Sequence, residues 1–250
     1  MSTELRLAVI GDVHRAWNAF DVAYFNTAKV DAVLFVGDLP DLNHRRAYTV
    51  AAQIAPLTKP TYVMPGNHDA VTLRQLLAEL SGQRALCRMT SRGHEARVDR
   101  LQAALGDATL CGYSHHQLTD EIGLIAARPH AMGAHLTFAP YLTRRFQVRT
   151  MDESAAKLRA LIETSPCSRL VFLGHNGPTG LGEASTDIWG CDFRRGGGDR
   201  GAVLALLQRR RRALGVRHLG RRRWSGAGAD GGQDAHEHRR RSRRRRSLRR

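Results

Sequence analysis

The chain has 250 residues, and its body of roughly 190 residues is long enough for one domain with a packed core. Its four cysteines form no C-x-x-C pair and its apolar runs are short, which excludes a zinc ribbon, a redox dithiol and a membrane-spanning helix. The formal net charge is +16, but residues 1–193 hold 19 basic and 19 acidic residues, so the whole excess lies in residues 194–250.

Apolar runs alternate with amphipathic segments in the first third of the chain. The predicted strands span residues 5–10, 31–36 and 60–64, and the predicted helices span residues 17–28, 44–55 and 70–80. The strand ends recur at nearly the length of one βαβ unit, which favours parallel strands with crossover helices. The third helix places five apolar residues on one face: Val71, Leu73, Leu76, Leu77 and Leu80.

The later part of the chain predicts a second set of elements. A helix is expected near 95–105, short strands at 108–113 and 121–127, a loop over 128–143, a helix from 152 to 163 capped by Asp152, and a strand at 169–173. Periodicity ends near Gly196. We therefore predict a domain over residues 1–195 and an Arg-rich, disordered tail over residues 196–250.

Four short polar blocks each follow directly on an apolar, strand-like run. In an open α/β sheet, residues just past the carboxyl ends of strands converge on one crevice, so these blocks are expected to meet. Aspartate, histidine and asparagine together are suitable ligands for a pair of divalent metal ions. The blocks are Gly11-Asp12-Val13-His14, Gly37-Asp38-Leu39-Pro40-Asp41, Gly66-Asn67-His68-Asp69 and Gly174-His175-Asn176-Gly177-Pro178.

The residue types within the blocks suggest separate tasks. The Asp38 carboxylate can bridge two metals with one oxygen to each. His68 follows Asn67 directly, so it is better placed to meet the substrate than to share the same metal. Asp69 is then expected to orient His68 or to raise its pKa.

These blocks resemble the pattern of the calcineurin-like metallophosphoesterases, which is D-x-H, G-D-x-x-D, G-N-H-[DE], a later lone His and a final G-H-x-H. The resemblance covers roughly residues 5–195. The run from Phe172 to Gly182, with Ala127-Arg128-Pro129, is similar to a branch found in photosynthetic bacteria and plastids.

The resemblance implies a four-layer αββα sandwich and two divalent metal ions such as Mn, Fe or Zn. By this resemblance, the first metal would be bound by Asp12 and His14, and Asp38 would bridge. The second metal would be bound by Asn67 and His175, and His68 would donate a proton to the leaving oxygen. The implied reaction is hydrolysis of a phosphomonoester or phosphodiester by a metal-bridging hydroxide.

The final G-H-x-H of the pattern is missing from its expected place after His175. The chain's H-x-H is His236-Glu237-His238, inside the Arg-rich tail. Arginine runs without lysine are typical of a GC-rich gene read in a shifted frame, so we treat a frameshifted C-terminus as a hypothesis that the coding DNA tests. We expect the second sheet to be incomplete there, with apolar surface open near Val171 and Phe172.

Other polar residues have a simpler interpretation than a site role. Six other histidines of the predicted domain are expected to be surface or loop residues: His44, His94, His115, His116, His130 and His135. Arg15 and Arg128 could contact substrate phosphate, although solvated loop arginines are the simpler interpretation. Asp41 is expected to support the site through hydrogen bonds rather than as a ligand.

The leading hypothesis is therefore a cytoplasmic, metal-dependent phosphoesterase acting on a phosphate-ester substrate, with no membrane partner. Two alternatives stay open. The missing motif favours a catalytically impaired phosphoesterase fold that binds a ligand or partner, and the arginine runs favour nucleic-acid binding through the tail.

Overall fold

Two four-stranded β-sheets organise the chain in the computed structural model, which describes residues 4–11, 13–131, 139–175 and 205–208. The first sheet is parallel throughout, in the order β1-β2-β3-β4. Its strands are β1 (Leu7–Ile10), β2 (Ala32–Phe35), β3 (Thr61–Val63) and β4 (Thr109–Leu110). The helices between them are α1 (Ala19–Thr27), α2 (Arg45–Ile54), α3 (Leu73–Leu80), α4 (Arg84–Thr90) and α5 (His94–Ala104).

The second sheet is mixed, in the order β5-β6-β7-β8. Its central pair, β6 and β7, is parallel, and the two outer pairs are antiparallel. Helices α6 (Ala139–Phe146) and α7 (Met151–Thr164) precede β7 in the chain. The strands are β5 (Ser114–Gln117), β6 (Ile122–Ala126), β7 (Arg169–Leu173) and β8 (Ala205–Gln208).

Three separate apolar clusters show the layering. One cluster joins α2 and α5 to the first sheet through residues such as Phe35 and Ile54. A second joins α6 and α7 to the other sheet, and a third, which includes Leu34 and Leu124, fills the space between the two sheets. Buried side chains on both faces of each sheet produce the predicted four-layer αββα sandwich, so the predicted fold is confirmed.

Several predicted elements differ from the observed ones. The segment 108–113 is not one strand, because β4 ends at Leu110 and the chain turns at Tyr113 (φ +44°) into the second sheet. The segment 128–143 is not a loop throughout, because α6 begins at Ala139. Helix α7 is capped by Thr150 rather than Asp152, because the Thr150 side chain and Glu153 form a capping box.

Burial also departs from two expectations. Of the five residues predicted to share an apolar face of α3, Leu73, Leu77 and Leu80 are exposed, whereas Val71 is buried and Leu76 is half-buried. Val171 and Phe172 are both buried, and β8, from the segment assigned to the tail, pairs with β7 beside them. The expectation of open apolar surface at these two residues is therefore wrong. The boundary at residue 195 stays a prediction.

Candidate functional site

Two glycine backbones in contact bring the ends of β2 and β3 together. A Cβ atom at Gly37 would lie 2.4 Å from the Gly66 amide nitrogen, and a Cβ at Gly66 would lie 2.4 Å from Asp38 Oδ1 and 2.8 Å from His175 Cε1. No other residue type fits this spacing without displacing backbone or site atoms. The glycines of the second and third blocks are therefore required by the close approach of these two blocks.

Asp38 has an unusual backbone at this junction. Its φ is +52°, in the left-handed region, directly after Gly37 at +94°. Such a conformation costs a non-glycine residue about 1–3 kcal/mol and concentrates at functional sites. It places one carboxylate oxygen, Oδ1, where it accepts from the His68 amide at 3.0 Å, and the other, Oδ2, 3.5 Å from His175 Nε2.

Asp38, Asn67 and His175 form one converging group of ligand atoms. His175 Nε2 lies 3.0 Å from Asn67 Oδ1 and 3.5 Å from Asp38 Oδ2. The three residues follow three different strands, β2, β3 and β7. Two ligands of one metal at roughly 2.1 Å are separated by about 3.0–3.4 Å, so the observed spacing fits a shared cation.

The histidine rings are held by backbone carbonyl groups. The Nδ1 atoms of His14, His68 and His175 lie 3.0 Å from Pro40 O, 3.1 Å from Asp41 O and 2.6 Å from Val36 O, respectively. A carbonyl can only accept, so each Nδ1 carries the proton and donates it. The Nε2 atom of a neutral ring then keeps its lone pair, the arrangement found where histidine binds a metal.

The donor set at His175 therefore fits a cation. Nε2 of a neutral ring, the Asn67 amide oxygen and the Asp38 carboxylate are all acceptors, and they face one another with burial around them. Acceptors at such distances are stabilised by a positive charge between them. Within the described residues, no cluster of three His, Cys, Asp or Glu side chains forms, since the third member of this group is an amide.

Of the two residues predicted to bind only the first metal, the structure describes one, His14. His14 is exposed, with its backbone amide donating to the Asp38 carbonyl at 3.0 Å and its ring 6.1 Å from the His68 ring. These contacts bring the first and second blocks together. Asp12, the other predicted ligand of this metal, lies outside the described residues.

Asp69 has a different task from the expected one. Its carboxylate accepts from the backbone amides of Asp38 at 2.9 Å, Leu39 at 3.0 Å and Gly66 at 2.7 Å. Among the described residues, the partner of the His68 ring is the Asp41 carbonyl, so the prediction that Asp69 orients His68 is wrong. Asp69 joins the two loops instead. Complete burial and the nearby Asp38 carboxylate raise the pKa of Asp69.

His130 was expected to be a surface or loop histidine, and it does lie in a loop, but its position at the site was not predicted. It is fully buried beneath the third block: its amide donates to Pro65 O at 2.8 Å and its Nδ1 lies 3.2 Å from Gly66 O. Burial lowers the pKa of His130 to about 4, so the ring is neutral near pH 7. No periodicity or motif marks this residue, because its role depends on the parallel bridge between Gly66 and Ala131.

The other expected surface residues divide between burial and exposure. His94 is buried against the Tyr141 ring, and Arg128 is 3% exposed, so the solvated interpretation is wrong for both. Arg15 is exposed and pairs with the Asp41 carboxylate at 3.3 Å at the rim of the site. His135 lies outside the described residues, and the two adjacent histidines of β5 contact serine hydroxyls.

Comparison with known proteins decides the family. The family model for calcineurin-like phosphoesterases matches residues 5–194. The chain belongs to the calcineurin-like phosphoesterase family. No curated protein sequence matches the chain.

Two crystal structures are similar to this phosphoesterase at low identity. One is 13% identical, covers 77% of this chain and 76% of its own, and has a TM-score of 0.45. The other, TT1561 of Thermus thermophilus, is 12% identical, covers 72% of each chain and has a TM-score of 0.42. Membership of the phosphoesterase family implies a hydrolase that acts on phosphate esters with divalent metal ions.

Proposed function

We propose that this phosphoesterase hydrolyses a phosphomonoester or phosphodiester at a dinuclear metal site. The observation that carries the proposal is the convergence of Asp38, Asn67 and His175, with acceptor atoms 3.0 and 3.5 Å apart. These three residues would hold the second ion. Asp12, His14 and Asp38 would hold the first, with Asp38 as the bridge. When bound, the ions supply Lewis acidity toward a phosphoryl oxygen and toward the attacking water.

His68 is proposed to move the proton. Its Nδ1 hydrogen is held by the Asp41 carbonyl at 3.1 Å, so the second proton of the cationic ring sits on Nε2. Donation of that proton to the leaving oxygen returns the ring to its neutral form without breaking the contact with Asp41. The ring therefore keeps one orientation before and after proton transfer, as general acid catalysis requires.

Asp69 is proposed to position the site rather than to touch the substrate. Its three backbone hydrogen bonds hold the loops after β2 and β3 at a constant spacing. That spacing sets the distance between Asp38 and Asn67, which belong to different loops. A bridging carboxylate and an amide ligand can meet one ion only when this spacing is held.

The test combines metal analysis with hydrolysis of p-nitrophenyl phosphate and bis-p-nitrophenyl phosphate. We expect added Mn, Fe or Zn to support weak hydrolysis, and Asp38→Ala to lose both metals and the activity, because it removes the bridge. Asp107→Ala is the matched control, since Asp107 is an exposed carboxylate just before β4, at the opposite end of the strands. Full metal content and activity in Asp38→Ala would contradict the proposal.

A metal-free chain without hydrolysis that still binds a phosphorylated ligand would favour the alternative of an impaired binding protein. The two substrates separate monoesterase from diesterase action, because only the second carries a phosphodiester bond.

A further inference from the structure

The helical hairpin of α3 and α4, residues 73–90, presents large apolar side chains to solvent. Five of the nine exposed large hydrophobic residues among the described ones lie on this hairpin. Such a concentration marks an interaction surface, whereas scattered single residues would not. The five are Leu73 (48% exposed), Leu77 (57%), Leu80 (62%), Leu86 (36%) and Met89 (57%).

The buried face of α3 carries two polar side chains, Gln75 and Glu79, beside Ala78, and the contacts of Gln75 hold the leucines outward. Gln75 is fully buried, where its Oε1 accepts from Arg97 Nη2 at 2.9 Å and its Nε2 lies 3.0 Å from His94 Nδ1. Arg97 Nε also donates to the Ala70 carbonyl at 2.7 Å, just before the helix. An amphipathic helix normally buries its apolar side. This one is held in the opposite orientation by a network of hydrogen bonds.

The hairpin surface is also basic. Arg74, Arg84, Arg88 and Arg92 are all exposed around the leucines. Residues 70–94 contain one acidic residue, Glu79, and it is 4% exposed. The next acid along the chain, Glu95, is paired with Arg144. The surface therefore combines exposed leucines with uncompensated positive charge.

This combination selects among the partners that could cover the surface. A second copy related by a two-fold axis would set the four arginines against the same four, which repel. Nucleic acid binds in basic grooves that also carry aromatic side chains. It has no apolar region that could accommodate exposed leucine side chains. A membrane with anionic lipids offers both an acyl region for leucine and phosphate groups for arginine.

We propose that the α3–α4 hairpin docks this protein on the surface of a membrane that contains anionic lipids. The leucines and Met89 enter the boundary between headgroups and acyl chains, and the arginines contact lipid phosphates. No helix among the described residues could cross a membrane, and a hairpin lying in the interface does not need to. This proposal revises the expectation of no membrane partner.

The test is flotation of the full chain with vesicles of phosphatidylcholine and phosphatidylglycerol, compared with vesicles of phosphatidylcholine alone. The wild-type chain is expected to float with the anionic vesicles. Leu77→Ser combined with Leu80→Ser should lower the partition coefficient by roughly tenfold or more, because two apolar side chains leave the interface. Phe20→Ser combined with Tyr24→Ser is the matched control, since both residues are exposed on another helix, α1, and partition should be unchanged.

The Arg-rich segment 194–250 could itself attract anionic vesicles, so each variant is measured at low and high salt. Electrostatic attraction falls with ionic strength, whereas insertion of leucine does not. A leucine-pair effect that persists at high salt supports the proposal. Equal flotation of the wild-type chain and the leucine-pair variant, lost in both at high salt, overturns it in favour of the tail.

Two further readouts decide the remaining cases. If circular dichroism shows that the leucine-pair variant is unfolded, Arg84→Gln and Arg88→Gln replace it, and each should weaken binding to anionic vesicles by about fivefold. No weakening in these arginine variants overturns the proposal. A wild-type dimer that the leucine pair converts to a monomer, without vesicle binding, also overturns it, because a second copy then covers the surface.

Discussion

At the scale of single residues, the site depends on a few backbone positions that admit no alternative. Gly37 and Asp38 are both left-handed, and Gly66 lies against them without space for a side chain. The strain at Asp38 is retained because Asp69 binds the amides on both sides of the junction. Asp69 therefore stabilises the conformation that aims the Asp38 carboxylate at His175.

Gly66→Ala should disrupt the site. The new Cβ would lie 2.4 Å from Asp38 Oδ1 and 2.8 Å from His175 Cε1, and such overpacking costs about 1–3 kcal/mol of stability. We expect lower metal content and lower hydrolysis, measured together with the thermal midpoint. Gly82→Ala is the control: no heavy atom lies within 4 Å, so the change adds only left-handed strain at φ +68°. Equal metal loss in both variants would contradict this account.

His68→Ala should keep its metal but lower kcat by roughly 10²–10⁴, the usual contribution of general acid catalysis. His68→Asn keeps an amide donor for the Asp41 carbonyl but cannot transfer a proton, so it should be equally slow. Kinetics and metal analysis of both variants check this prediction. Loss of metal in either variant would show that His68 is a metal ligand. A kcat in His68→Asn close to that of the wild-type chain would show that His68 positions the substrate rather than transferring a proton.

At the scale of elements, local capping determines where a helix begins, whereas contacts with other helices determine which face it turns to solvent. Helix α7 begins at a capping box of Thr150 and Glu153, a signal that lies wholly within a few residues. Helix α3 also has a threonine cap, Thr72, but its orientation depends on Gln75, which binds Arg97 and His94 on α5. The first property is local, and the second requires another helix.

Thr150→Ala should destabilise the protein by about 1 kcal/mol, because the Glu153 amide loses its side-chain acceptor at the start of α7. The measurement is the urea midpoint at constant pH. Thr164→Ala removes a hydroxyl at the other end of the same helix, where it donates to Ala160 O in an exposed turn, and should cost less than about 0.5 kcal/mol. A larger loss of stability in Thr164→Ala than in Thr150→Ala would show that the N-terminal cap is not the main local contribution to the stability of α7.

At the scale of the whole molecule, stability should depend on pH through a buried carboxyl. Burial raises the pKa of Glu79 to about 8, whereas in the unfolded chain the group has its ordinary value of 4.5. At pH values between 4.5 and about 8, Glu79 holds a proton in the folded protein that it has lost in the unfolded chain. The free energy of unfolding therefore falls as the pH rises through this range.

Glu79→Gln should remove this dependence, because glutamine carries no ionisable proton. We expect the variant to gain stability relative to the wild-type chain at pH near 8, and to show little difference at pH about 5. Urea unfolding at both pH values measures the effect. Glu121→Gln, an exposed carboxyl paired with Arg169 at 2.7 Å, should leave the pH dependence unchanged. An unaltered pH dependence in Glu79→Gln would show that another group is responsible.

The C-terminal segment should limit the metal affinity of the whole chain. Without a G-H-x-H after His175, each ion has three protein ligands in the proposed site, which still suffices for a catalytic ion. We expect weak metal binding and weak activity, with a loss larger than the roughly 10–100-fold known for supporting residues. Isothermal titration with Zn and Mn, repeated with His236→Ala and His238→Ala, measures it. Tight binding in the double variant would show that the motif is dispensable.

The sequence alone determined the strand ends and the blocks that follow them. Each block is contiguous with its strand, and residues 5–194 match one family, so order and spacing along the chain carry this information. Convergence of Asp38 and Asn67 could also be expected, because they follow neighbouring parallel strands whose ends meet at one edge of the first sheet. His175 follows β7 of the second sheet, so its approach to them depends on how the two sheets pack. The local signals missed α4 and α6 and misplaced the cap of α7 by two residues.

Only the tertiary structure decided which side chains are buried and which partners they find. His130 and Asp69 take their roles from backbone groups in other loops, and the leucines of α3 face solvent because a polar network on α5 holds the opposite face. Burial and hydrogen bonding between segments far apart in sequence depend on how the layers pack. A periodic pattern defines a face of a helix, but the neighbouring elements determine whether that face turns inward.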